Sequence, residues 1–158
     1  NNYLIVGHEK FWEILKSPSN TKTITEIFYE MSGIPWENMW SKFYVKRDLN
    51  RENEIFKKLG LSDKDEYIFV HDDHRKIYKN IPNDIKIIRP INKEYNIFEF
   101  LTVIEKAKEV HVINSSFFCM LWCMNLNKQG LFLHEYSRPD LSAEETTPNL
   151  NINWKIVK

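Results

Sequence analysis

The sequence predicts an α/β domain built on a mainly parallel sheet, and three observations carry that expectation. The apolar runs Tyr67–His71, Ile85–Ile88, Val110–Ile113 and Leu131–Leu133 are continuous rather than alternating, as strands covered on both faces require. Segments of helical period separate these runs after residue 60, and strand–helix–strand order winds a parallel sheet through right-handed crossovers. Gly60, Pro90 and Gly130 punctuate the elements where turns are needed. The expected architecture is a single Rossmann-like three-layer α/β/α domain over 1–158, with a helical portion at 8–60, a sheet core at 65–135 and a C-terminal tail at 138–158.

Each element follows from local pattern. Tyr3–Val6 is a short apolar run before Gly7 and reads as a first strand. His8–Lys16 places Phe11, Trp12 and Leu15 on one helical face, and Pro18 closes it. Thr23 suits the N-cap of a helix running to Met31, with Gly33 as its stop. Pro35 fits the first turn of a third helix carrying Trp36, Met39, Trp40 and Phe43. Leu49–Leu59 makes a fourth. Asn96–Ala107 aligns Ile97, Phe100, Leu101 and Ile104 along one side. Phe117–Leu126 is apolar enough to require a buried helix. The stretch Arg138–Asn149, with Pro139 and Pro148, reads as a loop, and Trp154, Ile156 and Val157 as a segment packed back on the domain.

Composition narrows the function classes. A chain of 158 residues supports one sizeable core, and 22 basic against 22 acidic side chains leave no net charge. No global field therefore draws the protein to nucleic acid or to an anionic bilayer, and a charged ligand needs a local site. The longest apolar run, Phe117–Met124, falls far short of the roughly 20 residues of a membrane span. Cys119 and Cys123 stand four apart in a helical pattern, a spacing that rarely reaches disulfide geometry within one helix. Buried free thiols, a reducing compartment and a cytoplasmic location are expected, with no secretory leader read at the amino end.

Ligands of open parallel sheets lie beyond the carboxyl ends of the strands, and two polar clusters fall there. Asn114-Ser115-Ser116 follows the Val110–Ile113 strand and opens the apolar helix. One reading is an ordinary N-cap by Asn114 or Ser115. The other is a cradle in which two hydroxyls and unpaired first-turn amides hold a phosphate. His71-Asp72-Asp73-His74 follows the Tyr67 strand. It admits a metal reading, a polar loop touching a ribose, base or sugar, or a structural turn capped by Asp72 or Asp73. Arg47, and Arg51 beside it, either reach a diphosphate or form surface ion pairs, and Arg89 either lines the same crevice or lies on the surface. Trp36 and Trp40 are core packing or a sugar-stacking platform. The sequence contains no GxGxxG, Walker A, GxSxG or HExxH pattern, which counts against dinucleotide oxidoreductases, P-loop NTPases, α/β-hydrolases and zincin proteases.

The run Lys108-Glu109-Val110-His111-Val112-Ile113-Asn114-Ser115-Ser116-Phe117, followed by an apolar Trp-containing helix, resembles the donor-site segment of GT-B glycosyltransferases, the fucosyltransferase-like groups in particular. Tyr67–Asp73 is similar to their strand ending in Asp-Asp, and Pro148–Ile156 to their Pro-x-x-Trp tail. The likeness covers roughly 65–158. It implies one half of a GT-B fold, the C-terminal donor-binding half. It further implies a nucleotide-sugar donor and a glycan acceptor as partners, no essential metal, and sugar transfer from a nucleotide diphosphate. Ser115, Ser116 and Asn114, followed by Phe117, would hold the pyrophosphate, with His71, Asp72 and Asp73 near the nucleotide. The family's His-x-Arg motif is absent; Lys46-Arg47-Asp48 matches it only in part. No catalytic base is identified. A non-catalytic nucleotide or phosphosugar module and a metal-dependent phosphoesterase are the alternative readings.

Overall fold

The computed structural model describes residues 9–72, 84–90, 95–124, 126, 130–137 and 154–158. The first-strand expectation at Tyr3–Val6, the loop at Arg138–Asn149, and Asp73 and His74 lie outside the described residues.

Four helices come first: α1 (Glu9–Lys16), α2 (Ile24–Met31), α3 (Asn38–Ser41) and α4 (Leu49–Lys58). Thr23 caps α2 through a capping box, its hydroxyl accepting from the Glu26 amide while the Glu26 carboxylate accepts from the Thr23 amide, so two orphan donors are satisfied together. The third helix is shorter than its aromatic spacing predicts. Residues 35–37 form a turn, and regular α geometry covers only Asn38–Ser41. Asp48 caps α4 by accepting from the Arg51 amide.

The sheet follows, with strands β1 (Tyr67–His71), β2 (Lys86–Ile88), β3 (Glu109–Ile113), β4 (Leu131–His134) and β5 (Trp154–Val157). All four pairings are parallel, and the spatial order is β2-β1-β3-β4-β5. The protein is therefore an α/β domain with a five-stranded parallel sheet flanked by helices. The tail segment at Trp154, read as packing back on the domain, does so as an edge strand paired with β4. Between β2 and β3 the predicted helix begins as a 3₁₀ turn, Ile97–Phe100, before α5 (Leu101–Lys106). Asn96 accepts from the Phe98 and Glu99 amides there, while Glu99 returns a bond to the Asn96 amide. Helix α6 (Ser116–Cys123) joins β3 towards β4 and buries Phe117, Phe118, Met120, Leu121 and Trp122.

One face of the sheet, carrying Tyr67, Phe69, Val110, Val112, Leu131 and Leu133, packs against Phe100, Leu101, Ile104, Phe118 and Leu121 from the helices. Trp36 and Trp40 join this core edge-on to each other and contact Trp122, which decides for packing over a sugar platform. Gly130 sets the entry to β4: its φ of +78° is costly for any residue with a Cβ, and an added Cβ would stand 3.1 Å from the Lys108 carbonyl oxygen. Cys119 is exposed and Cys123 half-buried, and neither is in a disulfide. The expectation of two buried thiols thus fails because α6 turns Cys119 outward. Among the described residues, no helix is long and apolar enough to cross a membrane.

Candidate functional site

The strand order fixes where a ligand opening belongs. From β1 the chain moves outward to β2, then crosses back over β1 to β3 and continues outward in the opposite direction. The order therefore reverses direction between β1 and β3, and the carboxyl ends of two such strands are where ligands of open parallel sheets bind. His71, last in β1, is in register with Val112, and β3 ends one residue later at Ile113. His71 and Asp72 of the first polar cluster therefore lie at the same end of the sheet as Asn114, Ser115 and Ser116, across the β1/β3 boundary.

Ser115 stands at the N-cap of α6 in extended backbone (φ −154°, ψ 177°), yet its side chain caps no helix amide. Its Oγ lies 3.1 Å from His71 Nδ1 instead. The His71 ring packs on Phe117 with centroids 4.5 Å apart. The first intrahelical bond runs from the Cys119 amide to the Ser115 carbonyl. The amides of Ser116, Phe117 and Phe118 precede that ladder and carry the positive end of the helix dipole. Asn114 and Ser115 are half-buried, Ser116 is exposed and Phe117 buried. A simple N-cap is thus not what Ser115 provides, because its hydroxyl is drawn across to the neighbouring strand.

Beside this pair, Asp72 accepts from Arg89 Nη2 at 3.2 Å and Nε at 3.3 Å, tying the end of β1 to the residue after β2. Arg89 is brought to the same strand edge. Arg47 is not. Its Nε donates to Glu52 Oε1 at 2.9 Å, its Nη1 to Glu105 at 2.7 Å and its Nη2 to Thr102 Oγ1 at 3.2 Å. Glu52 is buried and also accepts from the Thr102 amide and hydroxyl. The Glu52 hydrogen bonds raise the Arg47 pKa. Burial alone would raise the Glu52 pKa, but the bonds from Arg47 and Thr102 hold it below the ordinary carboxylate value. Of its two readings Arg47 takes the ion-pair one, as a clamp between α4 and α5, lining a surface cleft of about 450 Å³ with Phe43, Tyr44, Asn96 and Phe98.

A second polar group escaped sequence reading. His111 Nδ1 lies 3.1 Å from His134 Nε2, and His111 Nε2 lies 3.1 Å from Glu109. Both rings are buried. With Glu109 accepting from Nε2, His111 Nδ1 carries a lone pair and accepts from His134 Nε2–H. Burial lowers both histidine pKa values, that of His134 to about 4, with the neighbouring His111 adding to the effect and Asp72 opposing it. The only signal available was the i, i+2 spacing of Glu109 and His111. Their partner on β4 depends on register, which local pattern does not specify.

Comparison with protein-family models, curated proteins and solved structures finds no match. The chemistry must be argued from the site itself. Three kinds of group meet there: unladdered amides at the start of a helix, a hydroxyl–imidazole pair, and a guanidinium held by a carboxylate. Amides and guanidinium attract anionic oxygen. Among the described residues no cluster of three His, Cys, Asp or Glu side chains could hold a metal ion.

Proposed function

We propose that this chain is a glycosyltransferase-type donor domain that binds a nucleotide-diphosphate sugar at the β1/β3 opening. The observation that carries this reading is the meeting of His71–Asp72 with Asn114–Ser116 at the topological switch point, directly over the start of α6. In this reading the diphosphate lies against the first amides of α6, the Ser115 and Ser116 hydroxyls and Asn114. Arg89 supplies the nearby positive charge, fixed in direction by Asp72. His71 and Asp72 lie towards the nucleoside, and Phe117 forms the floor. Preorganised donors of this kind stabilise a departing diphosphate as charge builds on it, so transfer to a glycan acceptor needs no essential metal. Arg47 has no part in it, being held by Glu52, Glu105 and Thr102.

The test is thermal unfolding with UDP, GDP and their sugar conjugates. One of these is expected to raise the melting temperature, and Ser115→Ala combined with Ser116→Ala to abolish the shift. A wild-type protein that responds to none of them at millimolar concentration refutes the reading. Hydrolysis of the bound nucleotide sugar distinguishes a catalyst from a non-catalytic binding module.

A further inference from the structure

We propose that Ser115 and His71 form a nucleophile–base pair, an acyl-transfer centre that takes carboxylic esters. Two observations point to it, and neither depends on a nucleotide being bound. The first is the 3.1 Å contact between Ser115 Oγ and His71 Nδ1, the reach at which an imidazole takes a hydroxyl proton. The second is what Ser115 forgoes. A serine at an N-cap ordinarily turns its hydroxyl onto an amide of the first turn, for about 1 kcal/mol, yet this side chain makes no such bond. The hydroxyl is aimed out of the helix, across the strand boundary, at the His71 ring.

The surroundings match the roles. Both side chains are only half-buried, so a substrate has access. Phe117 packs on the imidazole at 4.5 Å and fixes its plane. The serine sits where a parallel strand turns into a helix, the placement of a nucleophile elbow. It differs in having Asn114 and Ser116 as neighbours rather than glycines. It also keeps an unstrained extended backbone (φ −154°). In the reaction, Ser115 Oγ bonds to the acyl carbon while its proton passes to His71 Nδ1. The carbonyl oxygen becomes an oxyanion, facing the start of α6. Collapse breaks the ester C–O bond, and the leaving alkoxide takes the proton from His71 as an alcohol. Water then gives its proton to His71, attacks the acyl-serine and releases the carboxylic acid, with the proton returned to Ser115.

The probe is an alkyl fluorophosphonate, followed by intact mass and peptide mapping on the whole chain. A single adduct at Ser115 is expected, with loss of fluoride. His71→Gln is expected to slow labelling about a hundredfold or more, the scale of a general base, and Ser115→Ala to remove it. A folded wild-type protein left unlabelled at Ser115, or labelling that is equally fast in a folded His71→Gln variant, overturns the proposal. Nucleotide-induced thermal shifts are read on unlabelled protein, so donor binding and the nucleophile pair stand or fall separately.

Discussion

Mild acid should destabilise this domain through the His111–His134 pair before Glu52 responds. His134 is essentially inaccessible, and its pKa is pushed down to about 4, first by burial and then by His111. In an unfolded chain the same imidazole titrates near 6.5. The folded value lies below the unfolded one, so the unfolded chain takes up the proton first. The stability tied to the neutral ring is complete above the ordinary imidazole pKa and is lost as pH falls towards the folded value. At about 1.4 kcal/mol per unit over roughly 2.5 units, the full loss is about 3.5 kcal/mol, with roughly 2 kcal/mol gone by pH 5. His111, also lowered by burial, adds in the same direction. Glu52, with its pKa held down, loses its contribution only in more acidic solution, so the histidine effect is separable. Urea unfolding followed by tryptophan fluorescence from pH 7.5 to 4.5 measures it. His134→Gln keeps a donor near the Nε2 position but cannot be protonated, and should flatten the slope between pH 6.5 and 5. A wild-type midpoint that holds steady from pH 7 to 5, or an equal slope in the variant, would refute the reasoning.

Two further outcomes test the frame around the site. Glu52→Gln should cost roughly 3 kcal/mol in urea unfolding, because it leaves the Arg47 and Thr102 donors facing a weaker acceptor in a buried setting; a loss under about 1 kcal/mol would mean that Glu105 alone holds Arg47. Gly130→Ala should cost about 1–3 kcal/mol in thermal unfolding, since a Cβ there meets the Lys108 carbonyl oxygen at 3.1 Å. Gly33→Ala, with the same sign of φ and nothing within 4 Å, is the control, and equal losses in the two would remove the contact from the explanation.

Strand existence was plain in the sequence because β1, β3 and β4 are short continuous apolar runs between strong breakers. Order and register were not, since pairing depends on non-local contacts that no local window contains. That is why Trp154–Val157 read as a returning segment and proved to be a fifth strand. Helix ends were legible where a cap made them so, as at Thr23. They were not legible at α3, where aromatic spacing reflects contact with Trp122 rather than a long helix. The placement of His71, Asp72, Arg89 and Ser115 at one end of the sheet was legible from their positions after apolar runs, a rule of topology. For Arg47 the ion-pair reading was open in the sequence, but the partner was not legible, because Glu105 is 58 residues away.

The β1–β3 opening has a consequence for measurement. Both strands are interior to the sheet, with β2 and β5 at its margins. Groups at 71, 72 and 115 therefore ride on the pairing most protected from partial opening, and their arrangement dissolves only when the whole domain does. Fraying at either margin leaves them untouched. Any molecule held there must raise the free energy of global unfolding by mass action. Slowing of amide exchange on ligand addition should accordingly extend through the interior strands together, instead of staying local to one loop.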